Sequence, residues 1–146
     1  MKSVDHAAIR SGSRAGAGRR HAEQALSVLN QAESPLSAYE LLEKLVPAGI
    51  TAPSTVYRAL SLLMEEGAVH RVDTLNAYVA CHGGHEPPAL VVFMVCRACH
   101  TVEEVTLPGI AEALRESMTE NGFAFIGSTI EIKGLCAECA RPAALP

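Results

Sequence analysis

The chain has 146 residues, enough for one domain or two small ones with a real core. Its composition, 49% hydrophobic but only 4% aromatic, calls for a core of Ala, Leu and Val. The longest apolar run, Ala89 to Cys96, is eight residues, and no apolar signal segment opens the chain; a membrane helix needs roughly 20 such residues, so a soluble, cytoplasmic protein without a membrane partner is expected. The net charge of −4 argues weakly against nucleic acid, but residues 1–20 carry five basic side chains against Asp5, a net of +4 on an acidic body.

Residues 1–20, rich in small and basic side chains, read as a flexible basic arm. From His21 to Gln31, Ala22, Ala25, Leu26 and Leu29 recur at the helical period. Ser34-Pro35 punctuates, and Ser37 with Glu40 three residues on forms a capping box for a second helix with Leu41, Leu42, Leu45 and Val46 inward, stopping before Pro47. A third helix starts near Pro53, buries Val56, Leu60, Leu63 and Met64, and ends at Gly67. After Gly67 the period changes to two: AVHRVDTLNAYVAC alternates around a polar turn at Asp73–Asn76, as a β-hairpin does. Three helices followed by a hairpin make a winged helix-turn-helix domain over residues 21–80.

Residues 81–89, CHGGHEPPA, read as a hinge loop. Strands follow at about 90–96 and 101–106, then a helix opened by Pro108 with Ile110, Ala113, Leu114, Ser117 and Met118 on one face, then a strand from about Ala124 to Lys133. The fold class is therefore α+β, a winged helix-turn-helix followed by a small β-β-α-β domain over residues 90–146. Such a module has exposed edges and little core of its own, so a second copy is its simplest partner and a homodimer is expected.

The pairs Cys96-x-x-Cys99 and Cys136-x-x-Cys139 supply four thiolates, a closed tetrahedral shell for a structural Zn²⁺. A redox pair lacks its βαβ context here. Cys81, His70, His82, His85, His100, Glu103 and Glu104 remain, and a mixed thiolate, imidazole and carboxylate site drawn from them also favours Zn²⁺. His82-Gly-Gly-His85-Glu86 is not a zinc-protease motif, because Gly83-Gly84 and Pro87-Pro88 forbid the helix that motif requires. No catalytic residues and no small organic ligand are assigned.

PLSAYELL (35–42), PSTVYRALSLLMEEGAVHRV (53–72) and the two knuckles resemble the ferric uptake regulator (Fur) family of metal-sensing repressors. AVHRVDTLNAYVAC, with its closing cysteine, is similar to the zinc uptake regulator branch of that family. The resemblance implies a homodimeric repressor that binds double-stranded operator DNA when zinc-loaded and controls zinc uptake genes. It implies two Zn²⁺ per chain: a structural ion on Cys96, Cys99, Cys136 and Cys139, and a regulatory ion on His70, Cys81, a downstream histidine and Glu104. It also implies that Tyr57 and Arg58 contact DNA.

Two departures shape this expectation. The stretch before the first knuckle, ALVVFMV, lacks the His/Asp cluster of the iron- and peroxide-sensing members, and Ala89 stands where zinc-branch relatives often have histidine. His85 then stands in, with His82 as the alternative. His85 is the expected ligand because Gly83-Gly84 lets the loop turn back, whereas His82 adjoins Cys81 and points to the opposite face of an extended segment. Arg58, near the start of its helix, can reach a guanine bidentately, and Ser54 and Thr55 with the helix N-terminus can hold phosphates. The rival readings are a sensor of another metal or of peroxide, and a zinc-stabilised protein-interaction module that binds no DNA.

Overall fold

A computed structural model describes residues 7–84 and 90–142, with side chains from residue 15 onward. It begins with helix α1, Ala7–Gln31, followed by α2, Ala38–Leu45, and α3, Pro53–Glu65. The capping box at α2 is present: Glu40 N–H donates to Ser37 Oγ at 3.2 Å, and Ser37 N–H donates to Glu40 Oε2 at 2.8 Å. Val46–Ala48 tighten into a single 3-10 turn around Pro47, and Gly49 ends it at φ 87, a conformation that favours glycine. Pro53 occupies the first turn of α3, where its missing N–H costs nothing.

Strands β1, Val69–Val72, and β2, Ala77–Ala80, form the hairpin, joined by a turn in which Asn76 takes φ 48. Leu36 bridges to this hairpin through paired backbone bonds with Tyr78, 3.1 and 2.8 Å. Ala22, Ala25, Leu29, Leu41, Leu45, Val56, Leu60, Leu63 and Val69 form one buried cluster from all three helices and the hairpin. That is a winged helix-turn-helix.

Three details differ from the sequence reading. Residues of the supposed flexible arm are helical from Ala7 onward, continuous with the helix expected from His21, and Arg19 pairs with Glu23 one turn on (3.4 Å) and with Glu66 at the end of α3. Val46, expected inward, is 49% exposed because the chain leaves the α-helical path at that residue. Met64 is also exposed, and Ala59 fills the fourth core position of α3 instead.

In the second part β3, Leu90–Cys96, lies between β4, Val102–Val105, and β5, Ser128–Gly134. β3 pairs antiparallel with β4 (Met94 opposite Glu103) and parallel with β5 (Val92 opposite Ile130). The parallel pairing requires a crossover, which α4, Pro108–Glu120, provides. β5 starts later than the sequence suggested, since Phe123–Gly127 is irregular and Gly127 takes φ 124. A one-turn helix, α5, Ala137–Ala140, was not foreseen.

Contacts divide the chain into two units, residues 1–71 with 77–80, and residues 72–76 with 81–146. Within the second unit the Glu131 carboxylate accepts from the N–H of Thr74 at 2.9 Å, the N–H of Asp73 and the Thr74 hydroxyl. Val91, Val92, Phe93 and Val95 of β3 are buried, yet α4 buries no residue at all. The face expected on α4 finds little cover within the chain: Leu114 and Met118 are half-buried, and Ile110, Ala113 and Ser117 are exposed.

Candidate metal centre and nucleic-acid interface

The four knuckle cysteines meet at one end of the β4-β3-β5 sheet. Cys96 is the last residue of β3, and the chain then reverses: Cys96 N–H donates to Thr101 O (2.9 Å), His100 N–H donates to Cys96 O (3.0 Å), and His100 takes φ 63. The second knuckle follows β5 directly, with Cys136 as the N-cap of α5 and Cys139 within it. Arg97 N–H donating to Gly134 O at 2.9 Å ties the two turns together. In-register parallel pairing of β3 with β5 is what brings cysteines 40 positions apart to one place.

One ligand atom from each of Cys96, Cys99, Cys136 and Cys139 lies within 4.8 Å of every other, and Cys99 Sγ to Cys136 Sγ is 3.7 Å. A tetrahedral zinc with bonds of about 2.3 Å has sulfurs about 3.8 Å apart, so the spacing fits the ion. All five cysteines are free thiols.

The backbone prepares these sulfurs for a cation. N–H groups of Cys99, Cys136 and Ala98 directed at Cys96 lower its thiol to about 6, the Cys136 N–H donating at 3.4 Å. The Thr101 hydroxyl, 3.1 Å from Cys99 Sγ, lowers that thiol too. Cys139 moves the other way, up to about 12, because Cys136, Cys99 and Cys96 crowd it. Four thiolates repel one another until a divalent cation neutralises them, so metal entry expels whatever protons the thiols still hold. Thr101 was missed in the sequence; its signal was a hydroxyl two residues after a knuckle cysteine.

The other predicted residues are spread along the chain. His70 is half-buried on β1, Cys81 is half-buried just after β2, and Glu104 is half-buried on β4. His82 is exposed, and His85 lies outside the described residues. Among the described residues, the Cys96–Cys139 set is the sole group of three or more metal-type ligands converging on one point.

On α3, Val56 and Leu60 turn into the core while Tyr57, 46% exposed, and Arg58 face solvent. Tyr57 is thus a surface aromatic. Ser54 is exposed and Thr55 half-buried in the first turn of the same helix.

The sequence profile of the Ferric uptake regulator family matches residues 11–133. The chain belongs to this family. The Zinc uptake regulation protein of Escherichia coli (strain K12) is 36% identical over 119 residues, covering 81% of this chain and 70% of that protein. The Zinc uptake regulation protein of Mycobacterium tuberculosis is 33% identical over 107 residues, covering 70% of this chain and 78% of that one. Among solved structures, a zinc uptake regulator complexed with zinc and DNA is similar with TM-score 0.75 and 32% identity, covering 94% of this chain and 96% of that one. Holo XcZur is similar with TM-score 0.74 and 38% identity, covering 82% and 84% respectively. Family membership makes this chain a transcription regulator and not an enzyme.

Proposed function

We propose that this Fur-family chain is a zinc-responsive repressor that binds operator DNA as a homodimer and controls zinc uptake genes. The observation that carries the reading is its likeness over 94% of its length to a zinc uptake regulator bound to zinc and DNA. The thiol cage with zinc spacing supports it. Cys96, Cys99, Cys136 and Cys139 hold one zinc, which supplies folding free energy by closing both knuckles.

A second zinc per chain falls to His70, Cys81, His85 and Glu104. These residues come from the hairpin, the segment after it and β4, so joint ligation restrains residues 81–89. Zinc availability and DNA affinity are then linked: whatever factor zinc adds to DNA binding, DNA adds to zinc binding. Tyr57 and Arg58 read bases, and Ser54 and Thr55 take phosphates. The homodimer is supported by apolar side chains on the second unit that the chain itself leaves bare, among them Phe123, Ile126 and Leu135.

A gel shift on a candidate operator, with added zinc and with a chelator that strips the weaker site, tests this reading. Retarded DNA only with zinc is expected; equal retardation under both conditions would remove zinc from the switch.

A further inference from the structure

Within the first unit a groove of about 560 Å³ opens between α1 and α3. Gly18 and His21 of α1 line one wall; Thr55, Arg58 and Leu62 of α3 line the other. Its charged and polar groups are an imidazole, a hydroxyl and a guanidinium, with no carboxylate among the lining residues. Of the acids on these helices and at the end of α3, Glu23 and Glu66 are engaged by Arg19, and Glu65 is exposed. We propose that this groove seats a phosphate of the operator backbone, held by His21 and Thr55 beside Arg58.

The proposal rests on the repressor reading above and extends it to α1. Buried Ala59 lies at the groove, and further along the same two helices Ala22, Ala25, Leu29 and Leu63 belong to the buried core. At Gly18 there is room for a side chain: a Cβ built there meets nothing within 4 Å, as at Gly16. The walls left apart offer hydrogen-bond donors and positive charge, which suits the acceptor oxygens and negative charge of a phosphodiester. The groove shares Arg58 with the proposed reading head, so a strand whose bases meet Arg58 has its backbone near the flank of α3. Charge complementarity and this shared residue select the DNA backbone as the occupant.

The test uses full-length, zinc-loaded protein and fluorescence anisotropy against salt, on operator and on scrambled duplex. His21→Arg places a permanent cation in the seat, and the slope of log K against log salt should steepen by about 0.9 on both duplexes, one phosphate's worth. Gly18→Glu puts a carboxylate into the groove and should weaken operator binding by about tenfold or more. Gly16→Glu adds the same charge about 200° around the helix and serves as control, with a loss below about threefold. Glutamate is the better helix former at both positions, so both variants should fold, as melting curves and zinc content will verify. An unchanged slope in His21→Arg, or a Gly18→Glu variant no weaker than Gly16→Glu, overturns the seat alone. Unaltered protein that shows no zinc-dependent operator binding overturns the repressor reading, and the seat with it.

Discussion

Arg58 and Cys139 show how much one side chain carries. Arg58 stands on the solvent side of α3, between buried Val56 and buried Leu60, and nothing in the core depends on it. Arg58→Ala should therefore cost about 1–3 kcal/mol of discrimination between operator and scrambled duplex, with melting temperature and zinc content unchanged. Competition anisotropy measures this, and undiminished discrimination would take Arg58 out of base reading. Cys139 is the opposite case. Its thiol is pushed up by three neighbouring thiols that a cation would turn from repulsion to ligation. Cys139→Ser should lose one zinc per chain and melt the knuckle end of the sheet, seen as a lost metal equivalent and a lower melting temperature. A variant with full zinc content would place the ion elsewhere. The exposure of Arg58 was legible from the 3.6-residue period around Val56 and Leu60, its expected DNA contact only from the family resemblance, and the cage from the spacing of the cysteines. Thr101's place beside Cys99 was not, because it depends on the turn set by His100 at φ 63.

At the scale of elements, α2 is specified by its own first turn. Ser37 and Glu40 exchange side-chain and backbone hydrogen bonds, and the bond from Ser37 Oγ to the carboxylate, 2.7 Å, holds the Glu40 carboxyl below its ordinary 4.5. Ser37→Ala should cost about 1 kcal/mol in thermal unfolding, the usual value of a cap. A carboxyl depressed in the folded state stabilises above its unfolded value and loses that contribution as pH falls through its folded value. The melting-temperature gap between wild type and Glu40→Gln should accordingly narrow below about pH 4.5, where the unfolded carboxyl begins to protonate; a constant gap would mean the carboxylate does not strengthen the cap. This element could be read from four letters because its determinants are local. The helical extension of α1 could not: composition suggested a loose arm, and the contact of Arg19 with Glu66 joins residues 47 positions apart. Parallel pairing of β3 with β5 is non-local in the same way. Amphipathic α4 was legible as a helix, but that the chain itself leaves its apolar face without a fully buried residue was not, since burial depends on what the rest of the fold places over it.

For the whole molecule, the proposed coupling of zinc to DNA rests on ligands divided between distant stretches of sequence. Cys81 is the fifth cysteine, left over from the cage, half-buried where the hairpin ends. Its neighbour His82 is exposed. In extended backbone adjacent side chains point to opposite sides, so a metal held by Cys81 is not well placed for His82. His85 follows after Gly83-Gly84, and Gly84 takes φ 57, a left-handed conformation that few other residues adopt. Cys81→Ser and His85→Ala should each retain one tightly held zinc per chain and the dimer, yet bind operator DNA equally with and without added zinc. His82→Ala should behave as wild type. Metal analysis and size-exclusion chromatography establish the first half, and zinc titration of the gel shift the second. Should His82→Ala lose its zinc response while His85→Ala keeps it, the loop ligand is His82 and the chain turns back earlier than the glycine pair requires. Should Cys81→Ser lose both zinc ions, the two sites are not separate, and regulation must run through the knuckle cage itself.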